Sequence, residues 1–198
     1  MFTPAQTLHP AFTHARYTVR RKAFSLLGLK FYFEDEAGQP FAFVKRKALA
    51  IRESLRVFTG DSEQQELLRI TARQIIDFGA GYDVVDSTTG QQAGTLKRRG
   101  WKSMVRDEWV IMDATGQEIG RIREDSIGRA LIRRFVFAIP QSYTFEVGGA
   151  EIGTARQNWN FFLPKLFVDF TAADNRLDPR LGLAAVALLI TIEGREGD

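Results

Sequence analysis

One segment near the end of the chain constrains the fold more than any other. Asp178 and Pro179 open it, the first a helix-capping residue type and the second at home in the first helical turn. From Leu181 to Ile192 the sequence is then apolar on every side, with Thr191 its only hydroxyl. A helix without a polar face must be surrounded. Spanning a bilayer takes about 20 apolar residues, and this run is shorter. At about 1.5 Å per residue it is roughly 20 Å long, the length of a strand of six or seven residues at about 3.3 Å each. The segment is therefore expected inside a wall of strands.

The rest of the chain supplies such a wall. At Asp35-Glu36-Ala37-Gly38, Ser87-Thr88-Thr89-Gly90 and Asp113-Ala114-Thr115-Gly116 an apolar strand enters a turn and a strand rich in Lys and Arg leaves it. The glycines Gly38, Gly90 and Gly116 fall on multiples of 26 residues. Strands are expected at Tyr17–Arg21, Lys30–Glu34, Phe41–Lys45, Leu55–Phe58, Leu67–Thr71 and Tyr82–Asp86. Others follow at Ala93–Arg98, Trp109–Met112, Glu118–Arg123, Tyr143–Val147, Glu151–Arg156 and Leu166–Phe170. Short strands at this spacing, with turn signals between them, make a sandwich or a barrel. Sixteen Phe suit such strands. Asp125-Ser126 caps a short amphipathic helix at Ser126–Arg134, expected to cover an end of the barrel. The fold class is mainly β (α+β): a closed β-structure with the last helix through its middle. Residues 1–14 read as a surface leader and residues 15–195 as a single domain, with no low-complexity linker between them.

The 26-residue period serves as a ruler. Setting Gly90 on Gly116 places Gly94 on Gly120, Leu96 on Ile122 and Lys97 on Arg123, and Gly38 adds Val44 and Lys45 to the last two columns. Side chains alternate faces along a strand. With Val44, Leu96 and Ile122 inward, Lys45, Lys97 and Arg123 point outward, as do Thr95, Arg99 and Arg121. Cations aligned on neighbouring hairpins are the chain's best candidate binding surface, although charge runs on β-proteins also serve solvation and edge protection. Net charge is only +3, so placement decides its effect.

Much chemistry is excluded. There is no Cys, hence no disulfide and no thiolate metal site. The two histidines, His9 and His14, both lie in the leader, so neither a nucleophile–base pair nor a His-based metal site assembles readily. Asp169, Asp174, Asn175 and Asp178 bring calcium to mind, but the spacing fits no EF-hand loop. The expectation is a non-enzyme without cofactor or bound metal. Trp101, Trp109 and Trp159, with Phe161 and Phe162, would serve as interfacial anchors if exposed, and as core otherwise. The start of the chain has no signal-peptide pattern, so a cytoplasmic location is expected.

Hairpins of the form Asp-x-x-Gly-x-x-x-Gly-x-Leu/Ile-Lys/Arg, at Asp113–Arg123 and with Ser for Asp at Ser87–Arg98, resemble the Tubby C-terminal-like superfamily. Within it they are most similar to the LURP-one-related and phospholipid-scramblase-like branch. The terminal Leu177-Asp-Pro-Arg-Leu-Gly-Leu-Ala-Ala-Val-Ala-Leu-Leu-Ile190 is similar to the hydrophobic helix that ends those proteins. The resemblance implies a roughly twelve-stranded closed barrel enclosing the C-terminal helix. It also implies peripheral binding of phosphoinositide-type, anionic phospholipid head groups through basic residues on strands. Scramblase activity itself is not expected, because the Pro- and Cys-rich front segment is missing. From the outward-face argument, Lys97, Arg99, Arg121 and Arg123 are the expected head-group contacts. The alternative is a protein-interaction scaffold with no lipid role; nucleic-acid binding ranks below both.

Overall fold

The computed structural model describes residues 8–22, 29–46, 54–73, 81–98, 108–125, 141–158, 160 and 164–192. Twelve strands form one closed barrel: β1 Arg16–Lys22, β2 Leu29–Glu34, β3 Pro40–Arg46, β4 Ser54–Phe58, β5 Glu66–Ala72 and β6 Gly81–Asp86, followed by β7 Gln92–Arg98, β8 Glu108–Asp113, β9 Glu118–Glu124, β10 Ser142–Val147, β11 Ala150–Gln157 and β12 Lys165–Asp169. Each strand pairs antiparallel with its neighbours in sequence, and β12 closes on β1 with Tyr17 opposite Val168 and Val19 opposite Leu166. Every strand expected from the sequence is present. The short helix expected at Ser126–Arg134 lies outside the described residues, as do Trp101, Trp159, Phe161 and Phe162, whereas Trp109 is in the core.

The last helix, α1 Pro179–Ile192, is enclosed. Residues 180–189 are all buried, and ten consecutive residues at about 100° each cover every face of a helix. Inward rows of strand side chains meet it, among them Phe33, Val57, Ile70, Val84, Leu96 and Ile122. Asp178 caps the helix, its carboxylate accepting from Arg180 N–H at 2.9 Å. Thr191 donates its hydroxyl back to the Ala187 carbonyl at 2.7 Å, so the one polar group of the apolar run is satisfied within the helix. The leader does more than lie over the surface. His9 caps a 3-10 turn at Pro10–Phe12, whose Ala11 and Phe12 are buried in the core.

The recurring hairpin owes its shape to an aspartate as much as to its glycine. Oδ1 of Asp35, Asp86 and Asp113 accepts the backbone N–H two residues on, closing an Asx turn. The turn glycines Gly38, Gly90 and Gly116 follow with φ of 76°, 74° and 84°. In the middle hairpin the aspartate precedes the Ser-Thr-Thr-Gly motif, making that turn one residue longer.

Gly120, by contrast, is required by contact. A Cβ there would strike the Glu146 carbonyl of β10 and the Val147 side chain. Gly116 has open space around it and only its positive φ to defend. Gly120→Ala is expected to cost about 1–3 kcal/mol through overpacking and Gly116→Ala about 1–2 kcal/mol through left-handed strain. Chemical denaturation separates the two mechanisms when Asn is tried at both positions. Asn should rescue Gly116, since it tolerates positive φ, and should be worse than Ala at Gly120. Rescue at both sites would mean that the close approach is not what requires Gly120.

The connections alternate between the two ends of the barrel. The tight turns 35–39, 59–65, 87–91, 114–117 and 148–149 lie at one, with the N-terminus of α1. The longer connections 23–28, 47–53, 73–80, 99–107, 125–141 and 158–164 all leave from the other, where α1 ends. These are called the turn end and the open end below.

Candidate functional site

The inward and outward assignments of the expected site hold for the residues described. Val44, Leu96 and Ile122 are in the core, and Lys97 is exposed. Arg99 lies outside the described residues. Thr95 faces outward but is only 3% exposed. Its hydroxyl donates to Asp83 at 2.8 Å, beneath an Arg73–Asp83 ion pair. Lys45 is tied to Glu63 at 3.2 Å, where the 59–65 turn folds back over the outer face.

Lys97 and Arg123 are not level with each other. Across the sheet Lys97 faces Val110, Val110 faces Arg121, and Arg121 faces Glu146. Barrel stagger displaces β9 by two residues relative to the repeat. Arg121 and Arg123 moreover share a counter-ion: Arg121 Nε lies 2.7 Å from Glu146, and the Arg123 guanidinium bonds the same carboxylate. Of the four expected contacts, Lys97 is the one that stands exposed with no ion-pair partner among the described residues.

A larger pattern emerges when charge is read along the barrel axis. Glu34, Glu66, Asp86, Asp113, Glu118 and Asp169 sit in the first or last strand positions at the turn end. Lys22, Lys97, Arg156 and Lys165 sit in the first or last two positions at the open end. Most described cations elsewhere are neutralised, Arg16 by Asp169, Arg20 by Glu34, Arg56 and Arg69 by Glu66, and Arg180 by Asp178 and Asp86, whereas Arg176 at the turn end bonds the Ala172 and Ala173 carbonyls. Lys22, Lys97, Arg156 and Lys165 have no ion-pair partner among the described residues. Two carboxylates at this end, Glu108 and Glu124, are themselves engaged. The uncompensated positive charge is thus concentrated where α1 ends.

Three strands there form the densest part of this surface. On the outer face Thr18, Phe167 and Arg156 make one row across β1, β12 and β11, and Arg20 with Lys165 makes the next. Phe167, 51% exposed, is the only large apolar side chain exposed among the described residues. Inside the same wall Arg21 follows Tyr17 and Val19 in the inward row of β1. It borders a cleft of about 110 Å³ between the wall and the end of α1.

The turn end is built differently. Arg180, itself buried, donates to Asp178 at 2.7 Å and to Asp86 at 3.3 Å, tying the start of α1 to the β6–β7 hairpin. Burial acts to raise the carboxyl pKa of Asp86, but the Thr88 hydroxyl and N–H, then Arg180, outweigh it and hold it below the usual range. At Asp169 the Thr171 hydroxyl and N–H lower the pKa against some desolvation, with Arg16 adding to the effect. Two of the four oxygen-bearing residues near α1 are thus committed to internal partners, and no cluster of three metal-ligating side chains occurs among the described residues. Beside them a cleft of about 350 Å³ is lined by Phe12, His14, Tyr17, Phe41 and Leu183. His14 stacks on Phe41 at 4.1 Å, and burial pushes up the pKa of the Tyr17 hydroxyl, which has no hydrogen-bond partner among the described residues.

Sequence reasoning missed both Arg21 and Arg180. The signal for Arg21 was its spacing from Tyr17 and Val19. No local signal marks Arg180, whose partner Asp86 is 94 residues away. No described helix is long and apolar enough to cross a membrane. Outward rows that carry charge and inward rows that are apolar are the reverse of the pattern in a transmembrane barrel. Comparison of the chain with protein-family models, with curated proteins and with solved structures finds no match.

Proposed function

We propose that this protein is a non-enzymatic barrel that binds anionic phospholipid surfaces peripherally, with its open end toward the membrane. One observation carries the reading: apart from Arg176, the described cations lacking a counter-ion lie at one end of the barrel, opposite the turn-end carboxylates. A basic residue near an anionic leaflet contributes about 1 kcal/mol. Lys22, Lys97, Arg156 and Lys165 together would give about 4 kcal/mol, sensitive to salt because the first three are exposed and Lys165 is half-exposed. The connections that leave this end contain Phe24, Trp101, Phe135, Phe137, Trp159 and Phe161, residue types suited to a membrane interface. A closed twelve-stranded barrel around a helix also supports kinship with the Tubby-like superfamily and its phosphoinositide-type ligands. A protein-interaction scaffold would use an exposed apolar patch, and the described surface offers Phe167 alone.

Co-sedimentation with vesicles tests this. Vesicles containing phosphatidylserine or a phosphoinositide should retain the protein at low salt and release it at high salt, and neutral vesicles should not retain it. Lys97→Glu with Arg156→Glu reverses two unpaired charges without exposing a buried carboxylate. It should weaken binding at least tenfold, from about 1 kcal/mol per cation. Failure to bind any anionic mixture at low salt would overturn the reading.

A further inference from the structure

We propose that the open-end cleft is a binding site for a single anionic amphiphile, with its oxyanion on Arg21 and its alkyl chain against the end of α1. The site goes beyond peripheral attachment, because a monomeric ligand needs no bilayer and the cleft lies on the inner face of the wall.

The charge pattern of β1 conceals it. Arg20, Arg21 and Lys22 read as one basic cluster, yet strand alternation splits them. Arg20 goes to the outer face and to Glu34. Arg21 goes inward, half-buried, beside Val19 and with no ion-pair or hydrogen-bond partner among the described residues. A half-buried guanidinium loses part of its hydration and gains from any anion that reaches it. Lys165 borders the mouth from β12, but its side chain belongs to the outward row.

Behind Arg21 the cleft becomes apolar. Val19, Leu29, Phe31 and Leu166 form its wall, and Leu189 and Ile190 of α1 form its floor. Its volume is about 110 Å³. For comparison, an apolar cavity of about 150 Å³ admits benzene. The cleft therefore suits a short alkyl chain, or the carbons nearest the head group of a longer one. Neither inorganic phosphate nor a neutral alkane satisfies both halves. A carboxylate or a phosphate ester on an alkyl chain does.

Calorimetric titration of the full chain below the aggregation concentration of each ligand tests the proposal. Octanoate and octyl phosphate are the two anionic probes, with octanol and inorganic phosphate as controls. Saturable binding of at least one anionic probe is expected, with both controls at least tenfold weaker. Octanoate alone would identify a carboxylate ligand, and octyl phosphate alone a phosphate ester. Arg21→Gln should weaken binding by about ten- to a hundredfold, the value of a charge-assisted hydrogen bond. Leu29→Trp, at a half-exposed position of the wall, should block the cleft while the protein still melts cooperatively. Equal affinity for octanol or for inorganic phosphate would overturn the proposal, as would an unchanged affinity in Arg21→Gln. The Lys97→Glu/Arg156→Glu protein should bind the probes normally. Vesicle binding and amphiphile binding can therefore fail separately.

Discussion

A chain ending before Asp174 will not fold. Purified under native conditions it should be aggregated or show no cooperative thermal transition, whereas the full chain melts in one step. Five large aliphatic side chains of α1, those of Leu181, Leu183, Val186, Leu188 and Leu189, are between 0 and 4% exposed. At about 1.5–3 kcal/mol each they contribute roughly 8–15 kcal/mol on burial. Domains of this kind have net stabilities of about 5–15 kcal/mol, so losing the helix removes an amount as large as the whole margin. The damage also spreads to the wall. Phe33, Val57, Ile70, Val84 and Leu96 face the helix axis from β2, β4, β5, β6 and β7. Without α1 they would line an axial void far larger than the gaps that protein interiors tolerate. Water or collapse must fill it, and either one undoes the register that closes β12 on β1. A truncated protein that still melted cooperatively would show that the wall stands without its filling.

The same physics explains which parts of the structure the sequence disclosed. Twelve strands were legible because inward apolar residues recur with period two and because Gly and Asp punctuate the turns. The enclosed helix was legible because Asp178 and Pro179 mark its start and no polar face follows. The inward positions of Val44, Leu96 and Ile122 came from the same alternation. The relation between Lys97 and Arg123 was not legible. Equivalence within a repeat fixes the face of a residue but not its height in a barrel, and the stagger between strands places Lys97 level with Arg121. Neutralisation by Glu146 was hidden for a similar reason, since β10 lies outside the repeating hairpins. Arg21 sits in the basic run Arg20-Arg21-Lys22, where only strand alternation sets its inward side chain apart from its outward neighbours. Arg180 gave no sign at all: between Pro179 and Leu181 it looks like the last polar residue before an apolar helix. Its role depends on Asp86, which reaches it only after the barrel has closed.

That dependence makes Arg180→Ala the substitution with the largest expected single-residue effect. Asp86 and Asp178 are 1% and 8% exposed, and removing the guanidinium leaves two buried carboxylates facing each other. Breaking a buried pair from one side costs about 3–5 kcal/mol. The pH dependence separates this mechanism from simple loss of packing. In the native protein the Asp86 carboxyl pKa is depressed, despite burial, by Thr88 and Arg180. A carboxylate with a depressed folded-state pKa adds stability above its unfolded pKa, near 4, and that stability is lost as pH falls through the folded value. Without Arg180, only the Thr88 bonds oppose burial, so the folded-state carboxyl pKa of Asp86 rises from its native value. Protonation then opposes folding less than in the native protein, so the variant should gain stability relative to the native protein as pH falls from about 7 to about 5. Denaturation curves at those two pH values should therefore show a penalty that shrinks in acid. Asp86→Asn added to Arg180→Ala should recover part of the loss at about pH 7, because a neutral amide replaces one of the stranded charges. A penalty below about 1 kcal/mol, or one that stays constant across this pH range, would mean that Arg180 acts by filling space and that the start of α1 is held by its cap alone.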